Sequence, residues 1–171
     1  MIFVTVGSQL PFDRLIRAVD DWCSRRQVTD VFAQIADPGP RGYVPQHFEW
    51  ERFLSPEEFD RRFLEARLII AHAGMGSIIS ALMANKPIVI MPRRASLNEH
   101  RNDHQHATVK KFHDRANVHV AMDETELAGV VDSAHNQPIR GEERVRPHAE
   151  QSLILSLRRF ILERGRDGSG S

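Results

Sequence analysis

Cysteine, net charge and a leader segment are scarce or missing in this sequence. Cys23 is the one cysteine among 171 residues, so no disulfide can form within the chain, which suits a reducing compartment. Lys plus Arg and Asp plus Glu both number 23, so no overall field attracts DNA, RNA or an anionic membrane. Residues 1–7 have no basic region and too short an apolar run for a signal peptide. We therefore expect a cytoplasmic protein that does not bind nucleic acid.

Long apolar runs and two common nucleotide-binding signatures are missing as well. The most apolar stretch, residues 68–84, is interrupted by His72 and is shorter than the roughly 20 residues that a membrane-spanning helix requires. Gly-x-Gly-x-x-Gly, the signature of an ordinary NAD site, does not occur. Neither does Gly-x-x-x-x-Gly-Lys-Ser/Thr, which argues against a P-loop kinase or ATPase.

Short apolar runs alternate with amphipathic segments along the chain. The runs predicted as strands are 2–6, 31–36, 48–53, 68–71, 87–91 and 118–121. Helices are predicted at 12–23, 56–66, from the loop at 72–77 to 84, from 102 or 103 to 115, from 124 onward, and at 146–164. Ser55 with Pro56, and Asp123 with Glu126, mark two of the helix starts. This alternation predicts an α/β fold, a single Rossmann-like domain with a parallel sheet covered by helices on both faces.

Residues 72–77, His-Ala-Gly-Met-Gly-Ser, join a predicted strand to a predicted helix. Ligands of open α/β sheets bind beyond the carboxyl ends of the strands, and the start of a helix favours a phosphate group. Gly74 and Gly76 allow the backbone to approach an anion closely, while His72 and Ser77 can add hydrogen-bond donors. The alternative is a tight strand–helix turn that binds nothing.

A polar run follows the strand at 87–91 and is expected to lie beside the glycine loop. Arg93 and Arg94 can neutralise phosphate, and a hydroxyl-rich ligand such as ribose or hexose needs short donors and acceptors. The residues that supply them are Glu99, Asn102, Asp103, His104 and Gln105. The alternative is a solvated surface loop.

The same run contains histidines that would also suit a metal ion. His100, His104 and His106 lie close together in the sequence with Asp103. His-Glu-x-x-His is absent, however, and no cysteine accompanies them, so no metal site is predicted.

Four segments in the same order resemble one family. They are the start at 3–16, the loop at 72–77, Asn-Lys-Pro-Ile-Val-Ile-Met-Pro at 85–92 and Glu-His-x-Asn-Asp-His-Gln at 99–105. Together they resemble the donor-binding C-terminal domain of family 28 glycosyltransferases, from residue 1 to about residue 135. The resemblance is strongest to stand-alone subunits of two-protein transferases. These are the bacterial exopolysaccharide subunits of the PssE type and the donor-binding subunit of the eukaryotic dolichol-linked GlcNAc transferase.

The resemblance implies one half of a GT-B glycosyltransferase, with a UDP-sugar as donor substrate and no cofactor. Residues of the glycine loop would contact the diphosphate, namely His72, Gly74, Met75, Gly76 and Ser77. His104 and Gln105 fall at sugar-contacting positions, and Gly7 would border the cleft. One departure is Ser80, which stands where a peptidoglycan-synthesising relative has a ribose-binding Glu. Glu99 or backbone groups are therefore expected to replace that contact.

The resemblance also implies a partner, because a GT-B enzyme needs two Rossmann-like domains and this chain has room for one. The expected partner is a membrane-anchored subunit that binds a lipid-linked saccharide, with this chain peripheral at the inner face of the membrane. Residues 1–164 are predicted as the UDP-sugar-binding domain and 165–171 as a flexible tail. The helix at 146–164 has two apolar stripes, of which one either docks to the partner or is covered within the monomer.

The expected reaction is transfer of a hexose with inversion, in exopolysaccharide or cell-surface glycan synthesis. Asp13, near Gly7, is the only candidate general base, and the competing interpretation makes it a solvent-facing helix residue. Asp20, on the same charged side of that helix, is also expected to face solvent. Other functional classes considered are a non-catalytic nucleotide-sugar-binding regulatory module and a flavodoxin-like electron carrier. The length of the chain disfavours a two-domain nucleotide-sugar epimerase.

Overall fold

A computed structural model describes residues 1–101 and 104–136. The strands are β1 (Ile2–Thr5), β2 (Val31–Gln34), β3 (Glu49–Glu51), β4 (Leu68–His72), β5 (Ile88–Met91) and β6 (Val118–Val120). The helices are α1 (Asp13–Arg26), α2 (Pro56–Glu65), α3 (Met75–Met83), α4 (His104–Phe112) and α5 (Glu124–Asn136), with a short 3₁₀ turn at Ala95–Leu97. The predicted helix at 146–164, the tail at 165–171, and Asn102 and Asp103 lie outside the described residues.

All six strands are parallel and form one sheet in the order β3-β2-β1-β4-β5-β6. The chain builds outward from β1 through β2 to β3, then returns to the other side of β1 with β4 and continues to β6. In register, Thr5 lies opposite Ala71, so the segments that leave β1 and β4 begin side by side. This reversal creates a crevice at the carboxyl ends of those two strands, where open α/β sheets bind ligands.

Apolar side chains cover both faces of the sheet and form two separate cores. On one face Val4 and Ile70 pack with Leu15 of α1 and Leu127 of α5. On the other face Phe3, Ile69 and Ile90 pack with residues of α2, α3 and α4, among them Phe63, Ile78 and Phe112. Alternate residues of a strand point to opposite faces, so a sheet buried on both sides needs continuous apolar runs. The predicted fold class is confirmed.

Local capping explains where two of the helices begin. Ser55 Oγ accepts a hydrogen bond from the Glu58 amide at 3.2 Å, directly before Pro56. Asp123 Oδ1 accepts from the Thr125 amide at 2.9 Å, and Glu126 reaches back to the Met122 amide at 2.8 Å. The two predicted helix starts are therefore confirmed, although the returning Glu126 bond goes to the residue before the cap.

The crossover between β2 and β3 is a loop rather than a helix, and a buried carboxylate holds it. Asp20 on α1 is 1% exposed, so the prediction that it faces solvent is wrong. Its oxygens accept hydrogen bonds from Tyr43 Oη at 2.6 Å and from the amides of Gln46 and His47 at 3.0 and 2.8 Å. These bonds lower the pKa of Asp20 although burial opposes the shift. Hydrogen bonds to Asp20 thus hold this loop in place, where a crossover helix would be held by packing.

No helix within residues 1–101 and 104–136 has the length and apolar character needed to cross a bilayer.

Candidate functional site

The glycine loop joins β4 to α3 at the crevice, as predicted. Gly74 is the N-cap of α3, with φ −86° and ψ 134°, and it has no side chain that could satisfy the first amides of the helix. The first N–H groups of a helix have no intrahelical acceptor, and they point away from the helix together with the positive end of its dipole. Met75, Gly76 and Ser77 supply these groups. The start of α3 can therefore bind an anion with backbone N–H groups alone.

Gly76 lies in the first turn of α3, where nothing in the described part of the chain explains a glycine. A Cβ built on it meets no atom within 4 Å. Its φ is not positive, so the backbone would accept any L residue. Glycine within a helix costs about 1 kcal/mol relative to alanine. The open space at Gly76 is thus consistent with a group that approaches from outside the described chain.

The imidazole of His72 is enclosed between two glycines. A Cβ on Gly74 would lie 2.2 Å from His72 Nε2, and a Cβ on Gly7 would lie 3.0 Å from His72 Cε1. Gly7 also has φ +82°, which glycine tolerates and other residues rarely adopt. These glycines therefore make room for the ring beside the start of α3.

His72 is neutral at physiological pH. Burial, followed by the positive charge of Arg93, lowers its pKa to about 4; His100 adds to this effect and the main chain of Thr5 opposes it. The Nδ1 atom is buried and meets no hydrogen-bond partner within the part of the chain that the structure describes. A neutral imidazole carries one N–H, so His72 can donate a hydrogen bond without adding charge.

Arg93 was predicted to neutralise phosphate, but its guanidinium is turned into the protein. The residue is 2% exposed, and its side chain donates to the carbonyls of Val6 at 2.9 Å, Leu10 at 2.7 Å and Pro11 at 2.6 Å. It also lies 4.6 Å from the ring centroid of Phe12. Burial lowers its pKa to about 10, so it stays charged at neutral pH. These contacts favour a structural role over direct phosphate binding.

Glu99 was predicted as a sugar or ribose ligand, and its carboxylate is already paired. Arg14 donates to it from Nε at 2.7 Å and from Nη2 at 2.8 Å, and the Arg94 amide donates at 2.8 Å. Arg14 also binds the carbonyl of Pro92 and the carboxylate of Glu124. Arg14 is a residue that sequence reasoning missed, because its partner Glu99 lies 85 positions away.

The remaining predicted residues are divided between the site and the rest of the fold. Gln105 is buried at the start of α4, where its Oε1 accepts from the Arg93 amide at 3.0 Å. His104 is exposed, and its ring packs edge-on against His100 with 4.5 Å between the centroids. Asp13 accepts from the Tyr43 amide at 3.0 Å and so helps hold the crossover loop. Its role as a base stays a prediction.

Among the residues that the structure describes, no group of three His, Cys, Asp or Glu side chains is arranged to hold a metal ion.

A comparison with protein families identifies a match. The glycosyltransferase family 28 C-terminal domain matches residues 1–154. No curated protein matches the sequence.

Solved structures share the fold at low sequence identity. The glycotransferase of kitacinnamycin has a TM-score of 0.61 at 18% identity over 80% of this chain and 35% of its own. MurG of Acinetobacter baumannii has a TM-score of 0.56 at 19% identity over 78% of this chain and 41% of its own. ALG13 has a TM-score of 0.53 at 21% identity over 81% of this chain and 88% of its own. The chain thus spans well under half of the first two proteins and most of the third.

Proposed function

The chain belongs to the glycosyltransferase family 28 C-terminal domain family, and on this premise we propose that it binds the diphosphate of a UDP-sugar at the start of α3. Its fold is that of one half of a GT-B glycosyltransferase. The family supports a role in binding the donor of a sugar transfer. The identities of the nucleotide, the sugar and the acceptor are part of what we propose.

The observation that carries the proposal is the open glycine in the first turn of α3. Gly76 has no packing or backbone reason within the described chain to lack a side chain. A diphosphate at the free amides of Met75, Gly76 and Ser77 supplies that reason, because its oxygens must approach the backbone closely. The neutral imidazole of His72 adjoins the same place and can donate a further hydrogen bond.

These groups would also assist the transfer itself. As the acceptor oxygen bonds to the anomeric carbon, the bond to UDP breaks and the leaving diphosphate gains negative charge, while the acceptor hydroxyl loses a proton to a base. Oriented backbone amides and a helix N-terminus stabilise such developing charge without reorganising. Of the carboxylates predicted near the loop, Glu99 pairs with Arg14 and Asp13 accepts from the Tyr43 amide, while Asp103 lies outside the described residues. We propose that the base comes from the acceptor-binding partner.

Calorimetric titration with UDP tests the proposed site. We expect wild type to bind saturably, Gly76→Ala to bind at least about tenfold more weakly, and Gly76→Asp to lose binding. An Asp in the first turn is favourable for helix α3, so loss of binding would not reflect loss of the fold. Gly129 on α5 also has nothing within 4 Å of a built Cβ, which makes Gly129→Ala and Gly129→Asp matched controls.

Two results would contradict the proposed site. If Gly76→Asp binds UDP as wild type does, the anion does not lie at the start of α3. If Gly129→Asp loses binding equally, the effect is a general one on the fold. Alanine is a better helix former than glycine, so Gly76→Ala and Gly129→Ala should both raise the melting temperature while only the first weakens UDP binding.

The partner and the wider reaction are proposed from the resemblance. The chain covers 35% and 41% of two glycosyltransferase structures and has the fold of one of their halves. We propose a membrane-anchored partner that binds a lipid-linked saccharide, and an inverting hexosyl transfer that needs both proteins. Co-expression with a candidate partner and a UDP-sugar assay tests this. Sugar transfer or donor hydrolysis by the pair would exclude a purely regulatory role, whereas UDP binding without either reaction would favour it.

A further inference from the structure

Arg93 makes an unusual set of contacts for a buried cation. Its Nη2 binds the carbonyls of Val6 and Leu10, and its Nη1 binds those of Pro11 at 2.6 Å and Glu99 at 3.3 Å. Buried charges are usually paired with a charge of opposite sign, but here neutral carbonyl dipoles surround the guanidinium. The ring of Phe12 lies 4.6 Å below it. Arg93 therefore binds main-chain carbonyls rather than one acidic side chain, and three of these four carbonyls belong to the segment at residues 6–11.

That segment carries the glycine that faces the imidazole. The carbonyls of Val6 and of Leu10 lie on either side of Gly7 in the chain, so Arg93 holds the backbone before and after it. Gly7 donates its amide to Thr5 Oγ1 at 3.2 Å. The position of Gly7 determines how close the segment comes to His72, since a Cβ there would already lie 3.0 Å from the ring.

We propose that Arg93 is a positioning residue of the donor site, which binds the carbonyls on both sides of Gly7 and thereby fixes the His72 imidazole beside the start of α3. The inference rests on the proposed function for its role in binding UDP. The arrangement of Arg93, Gly7 and His72 is independent of that function and can be tested without ligand. Gln105 takes part from the other side, because its Oε1 accepts from the Arg93 amide.

The shape and the charge of the guanidinium make different contributions. Two terminal nitrogens of a planar fork reach four carbonyls, whereas the single ammonium of lysine has three donors on one atom. The charge acts on His72, whose pKa is lowered by burial and then by Arg93. His100 is the other charged or titratable group that acts on the ring within the described residues. Lysine should therefore preserve the electrostatic effect and lose the positioning effect.

The experiment compares Arg93→Lys and Arg93→Met with Arg61→Lys and Arg61→Met. Arg61 is the control because its guanidinium is exposed and pairs with Glu58 and Glu65 of its own helix, α2. One readout is UDP affinity by calorimetry. The other is the titration and the ¹H–¹⁵N chemical shifts of the His72 imidazole in the ligand-free protein, measured by NMR.

For Arg93→Lys we expect at least about tenfold weaker UDP binding and shifted His72 resonances, with the pKa of His72 still near 4. For Arg93→Met we expect the same loss and a pKa that moves toward its ordinary value of 6.5. The Arg61 variants should change neither readout. A direct phosphate contact would instead leave Arg93→Lys near wild-type affinity, which would overturn the proposal.

The ligand-free measurement separates this proposal from the proposed function. If wild type does not bind UDP, the proposed function fails, and unchanged His72 resonances in Arg93→Lys would still overturn the positioning role. If Arg93→Met does not fold, Arg93→Lys decides the result, because it keeps both the charge and most of the side-chain volume. A lysine variant with wild-type resonances and wild-type affinity is incompatible with the inference.

Discussion

At the scale of single residues, the surroundings of His72 determine what it can do. The ring lies between Gly7 and Gly74, and burial with the charge of Arg93 keeps it unprotonated at neutral pH. A neutral ring beside a diphosphate contributes a hydrogen bond whose strength does not depend on a change of charge near pH 7. UDP binding should therefore vary little with protonation of this residue across the physiological range.

The lowered pKa of His72 predicts how stability depends on pH. The unfolded imidazole, with its ordinary pKa of 6.5, takes up a proton before the folded ring does, whose pKa is about 4. This group therefore does not reduce the free energy of unfolding above pH 6.5. As the pH falls from 6.5 toward 4, it reduces the free energy of unfolding by about 3 kcal/mol in all. Chemical denaturation of wild type and of His72→Asn between pH 4 and 7 measures the difference.

His119 and His135 also have lowered pKa values because of burial, so wild type alone does not isolate His72. The difference between wild type and His72→Asn removes their contribution, and His119→Asn is the matched control. The pH dependence should be shallower in His72→Asn than in wild type. Parallel curves over this interval would mean that folding does not lower the pKa of His72.

Sequence reasoning predicted the positions of the small residues of the candidate site better than the contacts of the charged ones. The local sequence pattern shows that Gly7, Gly74 and Gly76 stand where a strand ends and a helix begins. It does not show which acceptor a charged side chain finds. Arg93 was expected to meet phosphate and instead binds backbone carbonyls, while Glu99 pairs with Arg14 from a distant helix.

At the scale of elements, the crossover from β2 to β3 shows how one side chain can organise a segment without regular structure. The loop at residues 35–48 has no helix of its own. Its order depends on α1, where Asp20 accepts from three groups of the loop and Asp13 accepts from a fourth. The ring of Tyr43 also lies 4.0 Å from the guanidinium carbon of Arg17.

Asp20→Ala should therefore destabilise the fold by about 3 kcal/mol, because the partly buried phenol of Tyr43 and two amides would lose their acceptor. Tyr43→Phe should cost about 1 kcal/mol, since the other donors to Asp20 remain. Urea unfolding at pH 7 measures both values. Asp21 is the exposed neighbour of Asp20, and Asp21→Ala should change stability by no more than about 0.5 kcal/mol. Similar losses in Asp20→Ala and Asp21→Ala would show that the loop does not depend on the buried carboxylate.

The order and type of the elements were largely predictable, and the errors concern element ends that are set by long-range contacts. The strands and helices appear in the predicted order, because their apolar periods are strong and two of the helices carry clear caps. The segment at 48–53 shortens to β3 (Glu49–Glu51), an exposed edge strand with one pairing partner. Helix α4 ends at Phe112 because the Arg115 and Val118 amides bond in successive turns that lead into β6. Periodicity alone does not contain that information.

At the scale of the whole molecule, the candidate site is attached to the most enclosed strands. Gly7 follows β1, His72 ends β4, and Arg93 follows β5, and these strands are buried almost throughout. Among the strands that the structure describes, β3 and β6 lie at the two ends of the order and each pairs on one side only. The loops of the site therefore extend from the part of the sheet with the greatest burial.

Native-state hydrogen exchange should reflect this arrangement. Amides of β1 and β4 should exchange only on global unfolding, at least about 100-fold more slowly than those of β3, which can open locally. The amides of Val4 and Ile70 are suitable central probes, and that of Glu51, a residue that bonds to the β2 side, is the edge probe. Equal exchange rates at these positions would indicate that the sheet opens as one unit and that the site is not specially supported.

Cys23 gives the molecule a practical property. Its side chain is 1% exposed in the core between α1 and the sheet, and burial with the nearby charge of Asp20 raises the pKa of the thiol to about 12. A thiol with such a pKa carries almost no thiolate at neutral pH and does not compete for maleimide reagents. A cysteine introduced at Leu97, which is 52% exposed in the turn after β5, would therefore take a fluorophore selectively. The wild-type background needs no cysteine removal, and a single dye on this turn would report binding of the proposed donor and of the proposed partner in real time.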